Sequence, residues 1–138
     1  MESTSQNISW RLDINGGKWS SMLTNQNGYV RSAGKKGRGI FARKKLGKGT
    51  IIEVSPYIQI PPKDDSKLSD TVIESYWFQV KRKWSAIGLG HTSLYNHSKE
   101  PNADFSINQR RKTITIKALK PIRQDEEITI NYGYELDS

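Results

Sequence analysis

Ala103-Asp104-Phe105-Ser106-Ile107-Asn108-Gln109-Arg110-Arg111-Lys112-Thr113-Ile114-Thr115-Ile116-Lys117-Ala118 is the stretch whose pattern sets the fold class. Phe105 and Ile107 fall on one face, as do Ile114 and Ile116, and Asn108-Gln109-Arg110-Arg111 supplies a polar connection between the two runs. Side chains of a strand point alternately to opposite sides, so this period of two describes a hairpin with one buried face. No segment of helical length carries a sustained apolar stripe. The expected class is mostly β, with many short strands and few short helices.

Reading outward from the hairpin extends the same class. Downstream, Ile128 and Ile130 alternate with polar neighbours from Glu127 to Asn131. Upstream, Ile51 to Ile60 is rich in β-branched residues and stops at Pro61-Pro62, which cannot continue a central strand. Ile40-Phe41-Ala42 follows a glycine-bounded turn, and Pro62 to Asp70 reads as a polar turn. Tyr76 to Val80 reads as a strand with Tyr76, Phe78 and Val80 on one face and Trp77 on the other. The same region also admits a short helical turn over Val72 to Trp77. Residues 1–27 are rich in Ser, Asn, Gly and Gln, with a short alternation at Trp10, Leu12 and Ile14. They are expected to form an N-terminal arm, and residues 28–138 the single folded domain that this length allows.

Composition narrows the chemistry. With no cysteine, disulfides and thiolate zinc sites are excluded, and two histidines make a poor metal site, so no metal is expected. Met1 to Gln6 lacks a secretory pattern, and no apolar run approaches the ~20 residues of a membrane span, so the expectation is a soluble, intracellular protein with no membrane partner. A formal charge of +8 draws the chain toward acidic surfaces such as nucleic acid, or serves only solubility.

Three clusters carry candidate chemistry. Gly34-Lys35-Lys36-Gly37-Arg38-Gly39-Ile40-Phe41-Ala42 is dense enough in glycine for backbone to approach a ligand, and also suits an ordinary turn. In Leu94-Tyr95-Asn96-His97-Ser98-Lys99-Glu100-Pro101-Asn102, the Asn96 amide and the His97 ring can read a ligand edge, or the polar side chains can cap their own loop. Asp125-Glu126-Glu127-Ile128-Thr129-Ile130-Asn131-Tyr132-Gly133-Tyr134 delivers Tyr132 at a strand end, either over a reacting centre or into the core.

In this order the clusters resemble the SET domain. Gly37-Arg38-Gly39-Ile40-Phe41-Ala42 is similar to the family's opening Gly-x-Gly, Asn96-His97-Ser98-x-x-Pro101-Asn102 to its Asn-His-Ser segment, and Glu126 to Gly133 to its closing strand and catalytic tyrosine. The likeness spans roughly Tyr29 to Tyr134, and the small size looks like the minimal viral members without cysteine-rich zinc flanks. It implies a β-clip of short curved sheets with the C-terminal strand threaded, pseudoknot-like, under an earlier loop. It also implies a protein-lysine N-methyltransferase that uses S-adenosylmethionine, yields S-adenosylhomocysteine and acts on a histone tail in the nucleus.

By the same likeness the backbone of Lys36, Gly37, Arg38 and Gly39 holds the methionine end of the cofactor. Asn96 and His97 contact its adenine and amino-acid ends beside Tyr132. Tyr132 is the catalytic residue and a wall of the lysine channel, to which Tyr76, Phe78 and Tyr134 are further candidates. With no cysteine-rich flank, cover for that channel falls to Tyr134-Glu135-Leu136, the arm, a second subunit of a homodimer or the substrate. Nonspecific DNA or nucleosome contact fits the charge. Two other readings compete: a SET-fold module that binds without catalysis, and a small basic nucleic-acid-binding β-domain with Trp77 and Lys81-Arg82-Lys83-Trp84 as its surface.

Overall fold

A computed structural model of the chain describes residues 25–81 and 84–133. Nine strands are ordered along it: β1 (Gly28–Ser32), β2 (Arg38–Ala42), β3 (Ile51–Ile60), β4 (Trp77–Lys81), β5 (Trp84–Gly88), β6 (Asn96–His97), β7 (Ala103–Asn108), β8 (Thr113–Ala118) and β9 (Glu127–Ile130). One sheet runs β1-β2-β9-β6 and the other β4-β5-β3-β8-β7, so the expected mostly β class is what forms.

The hairpin is β7 and β8, paired antiparallel from Ala103↔Ala118 to Asn108↔Thr113. Its turn closes with Lys112 in the left-handed region at φ +55 and with the Asn108 carboxamide oxygen accepting the Arg111 N–H at 2.9 Å. Ile114, Ile116, Ile128 and Ile130 are fully buried and join Ile40, Leu46, Ile52 and Ile122 in one core. The alternation along β8 and β9 thus marks the faces that lose water.

Two local expectations are corrected. Pro62–Leu68 is a helix, α1, rather than a turn. Pro62 sits in its first turn, where a missing N–H costs nothing, and Asp64 and Asp65 favour the positive end of the helix dipole. None of its residues is buried, so no apolar stripe announces it. Of the two readings of the next stretch the helical turn is the one that forms, as a 3₁₀ turn over Val72–Tyr76, so the strand begins only at Trp77 and Tyr76 lies outside it. Phe78 and Val80 do share the inward face, packed against the core.

Strand β5 is absent from the sequence reading because Ser85, Ala86 and Gly88 have little β preference of their own. It forms because β3 and β4 flank it, with Ile58↔Ile87 on one side and Phe78↔Ala86 on the other. The decisive long-range feature is β9. It lies between β2, antiparallel, and β6, parallel, with Asn96↔Thr129 and His97↔Ile130 as partners. That insertion carries Tyr132 to the second cluster. The Trp10 alternation, most of the arm and Tyr134 lie outside the described residues.

Candidate functional site

β9 ends at Ile130, and the next residues turn Tyr132 back onto β6. The Tyr132 N–H donates to His97 Nδ1 at 3.0 Å, and the two rings pack with centroids 5.1 Å apart. Because Nδ1 accepts, neutral His97 carries its proton on Nε2, an atom buried with no hydrogen-bond partner among the described residues. The Tyr132 hydroxyl donates to the Tyr95 carbonyl at 2.6 Å. With its proton committed there, the oxygen faces any third group as an acceptor.

Two cavities meet at this tyrosine. The larger, about 530 Å³, is bounded by Lys36, Gly37, Arg38, Leu94 and Asn96. The smaller, about 200 Å³, is bounded by Trp77, Phe78, Tyr95 and Phe105. Ser75, Tyr76, Ser93 and Tyr132 line both, so the two share a wall. Both are lined by polar and apolar groups, but the smaller gathers more aromatic residues, with Phe78 edge-on to Phe105 at 5.0 Å.

The glycine turn is fastened to the second and third clusters by Glu127. One carboxylate oxygen takes Lys36 Nζ at 2.7 Å, and the other takes Asn96 Nδ2 at 2.7 Å. Asn96 Nδ2 also reaches the Arg38 carbonyl at 3.0 Å. A Cβ on Gly39 would lie 2.5 Å from the Glu127 oxygen and 2.8 Å from Asn96 Nδ2. Glycine at 39 therefore permits the Asn96–Glu127 contact, a close approach that any side chain would block. Gly37 has φ +84, the left-handed backbone that turns the chain past the cavity.

The sequence candidates accordingly separate. Lys36, Gly37, Arg38, Asn96, Tyr76 and Tyr132 reach the larger cavity, and Tyr76, Phe78 and Tyr132 the smaller. Gly39 supports from behind, and His97 lines neither cavity but anchors Tyr132. Tyr134 is outside the described residues. Ser75, Ser93, Leu94 and Phe105 are lining residues that the motifs did not single out.

Asn102 was quoted in the motif without a role. Its amide donates to the Glu127 carbonyl at 2.8 Å and accepts from the Thr129 N–H at 2.9 Å, so a side chain does for β9 what a neighbouring strand would. Among the described residues, no cluster of three or more His, Cys, Asp or Glu could hold a metal.

Comparison with known proteins agrees with this geometry. The SET domain family matches residues 37–133. A fission yeast (Schizosaccharomyces pombe) histone-lysine N-methyltransferase, specific for H3 lysine-37, is 30% identical over 108 residues, which are 78% of this chain and 74% of that protein. A Plasmodium falciparum crystal structure assigned as a histone methyltransferase superposes with a TM-score of 0.69 at 26% identity, covering 83% of this chain and 100% of that one.

Proposed function

Because the chain belongs to the SET-domain family and is a protein-lysine methyltransferase, we propose that it methylates a lysine of a histone tail with S-adenosylmethionine, through the two cavities that Tyr132 divides. The shared wall is the observation that carries this reading. Methyl transfer needs donor and amine on opposite sides of one carbon, and two cavities that share Ser75, Tyr76, Ser93 and Tyr132 as lining support a donor and an amine that meet at this common edge. The histone substrate is supported by the fission yeast relative, and the reading puts the enzyme on chromatin.

The residues present fit the cofactor. Its amino-acid and nucleoside ends require hydrogen-bonding groups and close backbone approach. The larger cavity offers Asn96, Ser93, the Gly37 turn and the Lys36–Arg38 backbone, at a volume typical of a small-molecule site. Lys36, Gly37, Arg38 and Asn96 would hold it, with Gly39 and Glu127 fixing those holders and His97 fixing Tyr132 beside them. When bound, S-adenosylmethionine supplies an electron-poor methyl on a sulfonium, and the bond to sulfur breaks as the bond to nitrogen forms.

The remaining work falls to the chain's own side chains. A free lysine, with pKa ~10.4, is protonated at neutral pH and cannot attack. In a slot walled by Trp77, Phe78, Tyr95 and Phe105 its charged form loses water, and a cation next door repels it, so the proton leaves to solvent before transfer. No general base is required. Tyr132 lines both cavities, and its oxygen, left as an acceptor by the bond to Tyr95, would orient methyl and amine together.

A second partner is supported by charge placement. Residues 43–49 and 117–123 run side by side, joined by the Leu46↔Ile122 bridge, and expose Arg43, Lys44, Lys45, Lys48, Lys117, Lys120 and Arg123. This ribbon suits the phosphate backbone of nucleosomal DNA.

The deciding experiment is transfer of labelled methyl to purified core histones, with Tyr132→Phe in parallel. The expected outcome is label on one histone, falling about a hundredfold or more in the variant, while calorimetric cofactor affinity stays within about threefold. Unchanged turnover in Tyr132→Phe sinks the role of the hydroxyl. Cofactor binding without label on any histone sends the substrate elsewhere.

A further inference from the structure

Glu53 lies on β3 and is 4% exposed, between buried Ile52 and half-buried Val54. Burying a carboxylate costs several kcal/mol unless its oxygens are fully bonded. Here they are. One oxygen accepts from the Tyr95 hydroxyl at 2.7 Å and from Asn25 Nδ2 at 3.2 Å. The other accepts from the Ser55 hydroxyl at 2.5 Å, the His91 N–H at 2.9 Å and the Thr92 hydroxyl at 3.4 Å. These described partners are all neutral donors. The turn makes room for the group: Gly90 has φ +66, and a Cβ there would stand 2.6 Å from the carboxylate.

Three of these bonds fall on one segment, residues 91–95, which also lines the site. Tyr95 is 1% exposed, its ring walls the smaller cavity, and its carbonyl receives the Tyr132 hydroxyl. A hydroxyl can rotate about its C–O bond, and it is aimed only as well as its acceptor is fixed. Pinning the Tyr95 phenol holds that residue's side chain, and the bonds to the His91 N–H and the Thr92 hydroxyl hold the backbone that leads to it, so the segment that carries the aiming carbonyl has less room to shift.

We propose that Glu53 is a positioning residue for methyl transfer, acting through Tyr95 to aim the Tyr132 hydroxyl; this rests on the role given to Tyr132 above. A well-packed apolar residue of similar volume would fill the same space without the desolvation of a charge. What it would lack is direction, since only a fully bonded acceptor holds the phenol and the 91–92 backbone in one arrangement.

The test is a double-mutant cycle on the full chain, with kcat for histone methylation as readout. Glu53→Gln puts an NH₂ against donors and disrupts the hub. It is expected to lower kcat about tenfold or more, as misaligned reacting groups do. Calorimetric affinity for S-adenosylmethionine should fall by less than kcat does, because Lys36, Gly37, Arg38 and Asn96 make no bond to Glu53 and only Ser93 and Leu94 of the larger cavity lie within its segment. In a Tyr132→Phe background, where no hydroxyl remains to be aimed, the same change should lower kcat by less than about twofold. Equal losses in both backgrounds mean that Glu53 is structural only and overturn the proposal. Should Glu53→Gln not fold, Tyr95→Phe decides by the same criterion, since it cuts one link and keeps the ring. If Tyr132→Phe alone leaves turnover intact, the reading of Tyr132 has failed, and this inference with it.

Discussion

The Tyr95 phenol is held protonated well above the ordinary tyrosine range, first by burial, then by the charge of Glu53 and the hydrogen bond to it, with the Asn25 bond pulling the other way. An unfolded tyrosine ionises near pH ~10, so above that pH the unfolded chain gives up a proton that the folded chain keeps. The stability tied to this phenol is therefore present below pH ~10 and falls as pH rises from there toward the raised folded value. Tyr29, bonded to Asp125, and buried Tyr57 are raised as well. The expected result is a melting temperature that drops between about pH 9 and 11 in the wild type and drops less in Tyr95→Phe. Parallel curves would show that Tyr95 is not the source. Among single residues, Tyr132 and Asn96 were legible because their motif neighbours point to them. Glu53 was not, although it left one sign: a carboxylate at an inward position in a β-branched run.

At the scale of elements, the active arrangement depends on how β9 is held. It pairs at two positions with β2 and two with β6, and backbone bonds from Ala42 to Glu126, Asp125 to Ala42 and Ser98 to Ile130 extend those pairings. Asn102 supplements both through its two bonds to β9 backbone. Asn102→Asp keeps the acceptor for Thr129 but sets an oxygen against the Glu127 carbonyl. At neutral pH it should cost about 1–3 kcal/mol of stability and lower turnover with it, as a buried group left opposing another does. Lowering the pH protonates that carboxyl and restores a donor, so the deficit relative to wild type should shrink in acid. Denaturant titrations at two pH values check this, and a deficit independent of pH would mean that the amide is not the contact that matters. The hairpin and strand β9 were legible because their alternation records burial directly, and β3 because its β-branched run stops at Pro61-Pro62. Helix α1 was not, because a helix with no buried face leaves no periodicity.

For the whole molecule, the +8 charge is not spread at random, since seven exposed cations line the 43–49 and 117–123 ribbon. Three acids border it: Glu126 lies 3.7 Å from Arg123, Asp125 accepts from Tyr29, and Asp104 stands across the hairpin from Lys117, so cations outnumber acids along the ribbon. If the ribbon meets DNA, affinity for a short duplex should fall with salt at a log–log slope of about −0.9 per phosphate contacted. Lys44→Glu with Lys45→Glu should flatten that slope by about two units and slow methylation of nucleosomes, leaving free histone peptide as good a substrate as before. Unchanged slope and unchanged nucleosome methylation would assign the charge to solubility alone.

The sequence by itself determined the class of the fold and the family, and it singled out the residues proposed to carry the chemistry. These depend on local patterns: alternation that marks a buried face, glycines where backbone must bend, and a tyrosine after a strand. The tertiary structure alone decided what divides the two cavities, what fastens the glycine turn to Asn96, and why a carboxylate is buried under Tyr95. Each of those is a meeting of residues far apart in the chain, such as Glu53 with Tyr95, or Lys36 and Asn96 with Glu127. Such meetings leave no periodic trace, because the free energy that selects them belongs to the packed whole and to no segment of it.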